Sequence, residues 1–439
     1  MTRDPANRDP ASRDPSGGDP ANRDAGSAII ERAGSPPPGL RQVLADFAPT
    51  YAVNGLIGFI FAATGPVAIV LSTGTRGGLG QAELASWLFG SFFLNGLLTL
   101  ALSWRWRMPL VFFWTIPGTV LVGPALAHLS HAQVLGAFVA TGVLMAVLGA
   151  TGWVRRAMGA VPMPIVMGMV AGVFLRFGLD LVRAVHEDLA IAGPMVLAFI
   201  ALSAWPRAAR LMPPLIGAMA VGALAVALTG RFQLPSDASL AWAAPHLYAP
   251  AFSWQAMLEL VVPLAITVLV VQNGQGVAVL EAAGHRPPVN LVTLACGGAS
   301  IVTALVGTVS TCLTGPTNAI VASSGDRSRH YTGALVVGVL ALAFGLFSSA
   351  FTGLMLATPR AFIAVLAGLA MLKVLQNAFA VSFRDRFALG ALVTFLVTVA
   401  DIPILNVGAP FWGLLAGLAV SRLLERGDFA AAGGPGPRP

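Results

Sequence analysis

Two stretches of this chain place hydroxyls, glycine and proline in otherwise apolar surroundings. One is Thr314-Gly315-Pro316-Thr317-Asn318, which follows Thr308-Val309-Ser310-Thr311-Cys312-Leu313; the other is Thr115-Ile116-Pro117-Gly118-Thr119, which follows Phe112-Phe113-Trp114. The apolar runs after the prolines, Ala319-Ile320-Val321-Ala322 and Val120-Leu121-Val122-Gly123, are too short for a bilayer-spanning helix, which takes about 20 residues. Proline in the first turn of a helix gives up only an N–H that has no partner there. The residue before a proline prefers extended backbone. Each stretch therefore predicts an extended segment that turns into a half-helix starting at Pro117 or Pro316. A helix start offers free N–H groups and a partial positive charge, and so binds an anion without a basic side chain. Thr115, Pro117, Gly118, Thr119, Thr311, Thr314, Gly315, Pro316, Thr317 and Asn318 are the candidate binding residues, with Phe112, Phe113 and Trp114 as an apolar wall. The plainer alternative is two proline-kinked helices, which membrane proteins tolerate. One interrupted segment per half of the chain favours the binding reading.

Other polar groups in apolar runs invite the same question. Gln272-Asn273 is strongly polar for its surroundings and serves either interhelical hydrogen bonding or the binding site. Glu259 is the candidate proton carrier, with a structural carboxylate near a helix start as the other reading. Arg176 and Asp180 are four residues apart, which puts them on one helix face as an expected ion pair. Asp401 and His186-Glu187-Asp188 read as loop residues, and Lys373 as a snorkelling cation. Cys296 and Cys312 read as small apolar residues without a disulfide. No metal-ligand spacing, phosphate-binding loop or nucleophile–base set is present. That excludes an enzyme, a catalytic residue, a metal site and a cofactor from the expectations, and makes any transport secondary.

The elements that carry these residues follow from composition. The chain of 439 residues is 56% hydrophobic and 10% charged, where a soluble domain carries about 25% charged residues. The runs are continuous rather than alternating, which predicts membrane helices and not a β-barrel. Residues 1–40 form a five-residue quasi-repeat (RDPAN, RDPAS, RDPSG) ending in Pro36-Pro37-Pro38-Gly39, an expected disordered tail; residues 427–439 are a second flexible end.

Between the tails lie fourteen apolar segments, at about 51–72, 85–103, 108–123, 133–153, 161–182, 189–205, 213–229, 254–275, 288–306, 308–323, 332–354, 361–376, 386–400 and 409–424. Alternating them across a membrane puts thirteen arginines on one side (105, 107, 155, 156, 207, 210, 286, 327, 329, 384, 386, 422 and 426) and leaves Arg76, Arg183, Arg231 and Arg360 on the other. The basic side is cytoplasmic, so both termini are expected there. The net charge of +7 is spread through these loops, which argues against a nucleic-acid partner. Fourteen divides into a 7+7 inverted repeat, 41–230 and 254–426, joined by the loop 231–253. The third and tenth segments, both broken, then correspond.

Four stretches carry a family resemblance: Arg107-Met108-Pro109 with Trp114-Thr115-Ile116-Pro117-Gly118; Ala171-Gly172-Val173-Phe174-Leu175-Arg176-Phe177-Gly178; Gln272-Asn273 with Gly284-His285-Arg286-Pro287-Pro288; and Phe411-Trp412-Gly413-Leu414. Over residues 45–425 the chain resembles the benzoate/proton symporter (BenE) family, within the wider uracil-transporter and anion-exchanger fold. The resemblance implies an all-α polytopic protein with a core domain (segments one to four and eight to eleven) and a gate domain (five to seven and twelve to fourteen). It further implies a substrate between segments three and ten, and a homodimer in a bacterial inner membrane. Uracil-type transporters place acidic residues near Gln272 and Pro316, where this chain has none. The expected function is proton-coupled symport of benzoate or a similar aromatic carboxylate. The alternatives are a nucleobase or inorganic-anion transporter, or an anion channel.

Overall fold

The computed structural model describes residues 29–154, 156, 161–205, 212–232, 242–323, 325–402, 404 and 409–433. The repeat over 1–28, the last residues 434–439, part of the central loop, and Arg155, Arg207 and Arg210 of the charge count lie outside the described residues.

The first half comprises α1 (Leu40–Asp46), α2 (Pro49–Ala63), α3 (Gly65–Arg76), α4 (Gln81–Trp106), β1 (Phe112–Trp114), α5 (Ile116–Ala125), α6 (His131–Thr151), α7 (Met163–Glu187), α8 (Leu189–Ala204) and α9 (Pro214–Leu228). The second comprises α10 (Trp254–Ala282), α11 (Val289–Ala304), β2 (Thr311–Leu313), α12 (Gly315–Val321), α13 (His330–Leu346), α14 (Ser348–Leu356), α15 (Arg360–Phe383), α16 (Ala388–Ala400), α17 (Ala409–Leu424) and α18 (Arg426–Gly433). Among the described residues, seven helical spans are long and apolar enough to cross a membrane, with α2 and α3 counted as one run (Pro49–Arg76) and α13 with the turn before it (Arg327–Leu346), and six shorter apolar helices accompany them. α4 contains a π-helical turn at Gly90–Leu94, and α10 contains two, at Met257–Val261 and Thr267–Asn273.

The helices sort by packing into two bundles. α6 lies along α11, and α13 along α2 and α4; separately, α7 lies along α15 and α16, and α8 along α9. α3 bridges them by packing on both α5 and α15. Small residues allow the closest approaches: a Cβ at Gly142 would sit 2.8 Å from the Gly297 oxygen, and one at Gly297 only 2.4 Å from the Ala146 nitrogen. Without water between helices, close packing of this kind is the main attraction available.

At the centre, β1 and β2 form an antiparallel ladder with Phe112 opposite Leu313 and Trp114 opposite Thr311. The ladder has two outer edges, and side chains satisfy both. The Ser103 hydroxyl accepts from the Leu110 amide at 3.1 Å and donates to the Leu110 carbonyl at 3.0 Å. Four residues earlier on the same helix face, the Thr99 hydroxyl accepts from the Phe112 amide at 2.9 Å. On the β2 edge, Asn273 Oδ1 accepts from the Leu313 amide at 2.8 Å and Ser300 Oγ from the Thr311 amide at 2.9 Å. Asn318 closes the far end: Oδ1 accepts from the Val111 amide, and Nδ2 donates to the carbonyls of Val111 and Thr314.

The tails differ in part from a pair of free ends. Within 29–39, Glu31 accepts from the amides of Asn290 and Leu291 at the start of α11, and the Pro38 carbonyl accepts from Trp104. Residues 426–433 are helical, and Asp428 accepts from the Phe387 amide at 2.7 Å.

Replacing Asn318 with alanine orphans the buried Val111 amide. The expected loss is about 1–3 kcal/mol, read as a lower thermal midpoint of the purified protein; an unchanged midpoint contradicts the role.

Candidate functional site

The antiparallel ladder fixes where the half-helices begin. Thr115 donates its amide to the Ser310 carbonyl at 2.9 Å, and Thr314 donates its amide to the Val111 carbonyl at 3.1 Å. Both threonines are helix N-caps with nearly the same extended backbone, φ −73° and ψ 114° at Thr115, φ −78° and ψ 126° at Thr314. Each helix starts one residue before the expected proline, at Ile116 and Gly315, because the extended pre-proline residue acts as the cap. The two starts sit at opposite ends of the ladder, four residues apart along β1, which is roughly 13 Å. At that separation one small anion cannot hydrogen-bond to both starts.

The two starts are not equivalent. Thr115 Oγ1 accepts from the Gly118 amide at 3.1 Å, and its hydroxyl lies 3.4 Å from Thr267 Oγ1 on α10. Thr314 makes no side-chain cap bond to its helix. The Gln275 side chain lies against Gly315, where a Cβ would come within 2.4 Å of it. Ser310 Oγ and Trp114 Nε1, both buried beside Thr115, have no hydrogen-bond partner. Phe113 and Trp114 pack edge-on against Phe92, whereas Phe112 joins a separate cluster with Leu313 and Cys296. The apolar wall is thus Phe113 and Trp114, backed by Phe92.

Of the expected binding residues, Thr115, Pro117, Gly118, Thr119, Thr314, Gly315, Pro316 and Thr317 come together at the two starts. Gln272 is buried on the π-helical turn of α10. Three others spend their polar groups on the fold: Asn273 and Asn318 hold the ladder, and the Thr311 hydroxyl donates to Asn95 Oδ1 at 2.8 Å. Thr115, Thr119 and Asn318 have no exposed surface, so ligand access requires motion.

Glu259 is not at the half-helix starts. It is buried on the first π-helical turn of α10 and meets His128 Nε2 at 2.9 Å, just beyond the C-terminal end of α5. That end is about 15 Å from Thr115 along the helix axis. His128 also lines a cavity of about 330 Å³ between the bundles, together with Val120, Gly123, Arg76, Arg176 and Asp401. The cavity touches α5 by its second half and does not reach Thr115 or Thr119.

The expected Arg176–Asp180 pair does not form. Arg176 pairs with Asp401, and Asp180 pairs with Arg76 at 2.8 Å and Arg183 at 3.2 Å. Helical spacing permits the local pair, but α3 and the end of α16 bring partners from far in sequence. Asp401 is accordingly a paired charge with left-handed backbone at the end of α16, not a free loop residue. His186 and Glu187 form the last turn of α7, and Asp188 pairs with Arg231 at 2.7 Å.

Sequence reasoning missed His128, Thr267 and Gln275. It also missed Thr64-Gly65-Pro66, which repeats the Thr314-Gly315-Pro316 tripeptide and separates α2 from α3. That internal match was a usable signal; a lone histidine in a turn offers none.

Comparison with known proteins gives one family and one fold. The family model described as benzoate membrane transport protein matches residues 45–423. The chain is 30% identical to inner membrane protein YdcO of Escherichia coli, over 84% of this chain and 94% of that protein. It is 25% identical to the benzoate membrane transport protein of Acinetobacter baylyi, over 86% of this chain and 96% of that one. The transmembrane domain of the cyanobacterial bicarbonate transporter BicA superposes with a TM-score of 0.57 at 14% identity, covering 87% of this chain and 99% of that domain. SLC26A9 superposes with a TM-score of 0.59 at 16% identity, covering 88% of this chain and 67% of its own.

A double-mutant cycle of His128→Ala and Glu259→Gln, followed by thermal unfolding, should give a coupling energy of about 1–3 kcal/mol. Additive effects would show that the contact carries no energy.

Proposed function

The chain belongs to the benzoate membrane transport (BenE) family, and we propose that this membrane transporter takes up benzoate or a similar small aromatic carboxylate by proton-coupled symport across the inner membrane. The single observation that carries the site is the ladder, which joins the two hydroxyl-rich half-helix starts from opposite halves of the chain. In this reading the fourteen segments form a 7+7 inverted repeat, both termini are cytoplasmic, and the protein is a homodimer, as the fold resemblance implies.

The carboxylate sits at the paired starts. Thr314, Gly315 and Thr317 on α12 supply amides and hydroxyls, with Pro316 holding the turn open to an acceptor, while Thr115, Pro117, Gly118 and Thr119 form the facing start of α5. The uncapped α12 start takes the direct hydrogen bonds, and the α5 start adds its dipole. Gln272 lines the approach from α10. Phe113 and Trp114 receive the ring, because an aromatic ring gains apolar burial and edge-to-face contact there. Two fixed half-dipoles bind an anion less tightly than a buried lysine would, which suits a carrier that must release its load.

Glu259 carries the coupled proton. Two facts support it: the carboxyl is buried, and its partner His128 faces the cavity between the bundles. A proton arriving from that cavity meets His128 first and Glu259 second. The Arg76–Asp180 pair joins α3 to α7 across the two bundles at the opposite rim from the thirteen-arginine face. It ties the two bundles together at that rim.

Proteoliposomes containing the full chain should accumulate labelled benzoate under an imposed inward proton gradient, and a protonophore should collapse the accumulation. Glu259→Gln should abolish gradient-driven accumulation while leaving benzoate exchange measurable. Uptake that ignores the gradient overturns the coupling; absence of uptake, with competition by a nucleobase or bicarbonate in a binding panel, overturns the substrate.

A further inference from the structure

Three loops far apart in sequence converge on a cavity of about 460 Å³ at the face opposite the Arg76–Asp180 rim. Arg107 comes from the loop after α4, His285 and Arg286 from the loop after α10, and Arg327 and Ser328 from the loop before α13. Ser35 of the N-terminal segment completes the wall, and Arg105 ties that segment down by donating to the Ser35 carbonyl at 3.0 Å. A cytoplasmic excess of arginine is ordinary in membrane proteins. Convergence of three of them on one concavity with no carboxylate in its lining is not explained by that bias.

Nearby carboxylates are engaged elsewhere. Asp46 lies 3.5 Å from Arg107 and 4.0 Å from Arg329, and accepts from Tyr331. Asp326 accepts from the Ser328 amide, and Glu31 caps the start of α11. Arg107 is therefore partly neutralised. Arg286 and Arg327 form no ion pair among the described residues, although Arg327 donates to the Gly284 carbonyl at 2.6 Å. Two uncompensated guanidinium groups and two hydroxyls at the rim form a donor set for a phosphate oxyanion, since guanidinium matches phosphate in both charge and bidentate geometry.

We propose that this cavity is a binding site for a phosphate group, separate from the substrate site. Its ligand is the headgroup of an anionic phospholipid or a soluble phosphate. α1, whose Asp46 pairs with Arg107, exposes Leu40 and Leu44, apolar side chains that suit a bilayer interface beside the cavity. A lipid phosphate at that level reaches the arginines without leaving the interface.

His285 reports occupancy. It is buried against His330, Nε2 to Nδ1 at 3.2 Å, and its pKa is lowered to about 4 by burial first, then by His330 and Arg327. A bound phosphate offsets the positive surroundings and raises that value.

The experiment uses the full chain in nanodiscs of phosphatidylcholine alone or with phosphatidylglycerol, with and without added inorganic phosphate. It reads the thermal midpoint and the titration of His285 by NMR of histidine-labelled protein. Expected is a higher midpoint and a raised His285 pKa with one of the two probes, each arginine contributing about tenfold or more in apparent affinity. Phosphatidylglycerol dependence assigns a lipid, and inorganic phosphate dependence assigns a soluble ligand. Arg286→Gln and Arg327→Gln should remove the response, while Arg384→Gln, a cytoplasmic arginine by the charge count, should keep it. Arg286 makes no ion pair among the described residues, so Arg286→Gln should keep the ligand-free thermal midpoint, and an unchanged midpoint separates loss of response from a folding defect. No response to either probe, or a response that survives both substitutions, overturns the site. Benzoate uptake is not a readout here, so failure of this proposal leaves the transport reading untouched.

Discussion

Unsatisfied backbone groups are intolerable where no water reaches them, and that constraint governs the centre of this protein. Two three-residue strands lie among apolar helices, where a bare sheet edge would cost several kcal/mol per orphaned group. The surrounding helices pay this back with a specific set of side chains. Ser103 and Thr99 complete one edge, Asn273 and Ser300 the other, and Asn318 the end. Each of these residues comes from a helix that must then stay against the ladder. The polar groups that look out of place in the sequence are what allow irregular backbone at this depth.

Everything near the candidate site follows from that ladder. Its antiparallel sense sends α5 and α12 off in opposite directions, with their starts about 13 Å apart. It ties the two halves of the chain together through Thr115 to Ser310 and Thr314 to Val111. α10 then runs beside α5, meeting its start through Thr267 and its far end through Glu259 and His128. One helix thus touches both the start of α5 and the Glu259–His128 pair. A shift of α10 would carry both contacts with it.

Much of this was legible in the residues. Proline and hydroxyl pairing at 115–119 and 314–318 located both half-helices to within one residue, because pre-proline backbone is restricted whatever the tertiary setting. Apolar run lengths gave the helices for the same reason that they span. Partners across space were not legible. The sequence shows that Asn273, Thr311 and Asn318 are polar, but not that Asn273 and Asn318 hold the ladder's backbone and that the Thr311 hydroxyl meets Asn95. The local Arg176–Asp180 pairing failed because α3 and the end of α16 supply competitors. His128 was invisible, since nothing in a turn histidine announces a buried carboxylate opposite.

In the proposed transport site the α12 half-helix start, across the ladder from that of α5, holds the carboxylate. A structure of the full chain in a lipid nanodisc, determined with saturating benzoate, tests it directly. Ligand density is expected at the Gly315 start of α12, with the carboxylate within hydrogen-bond distance of its amides and the ring toward Phe113 and Trp114. Density found only in the cavity lined by Arg76 and Arg176, with both helix starts still closed, would contradict it.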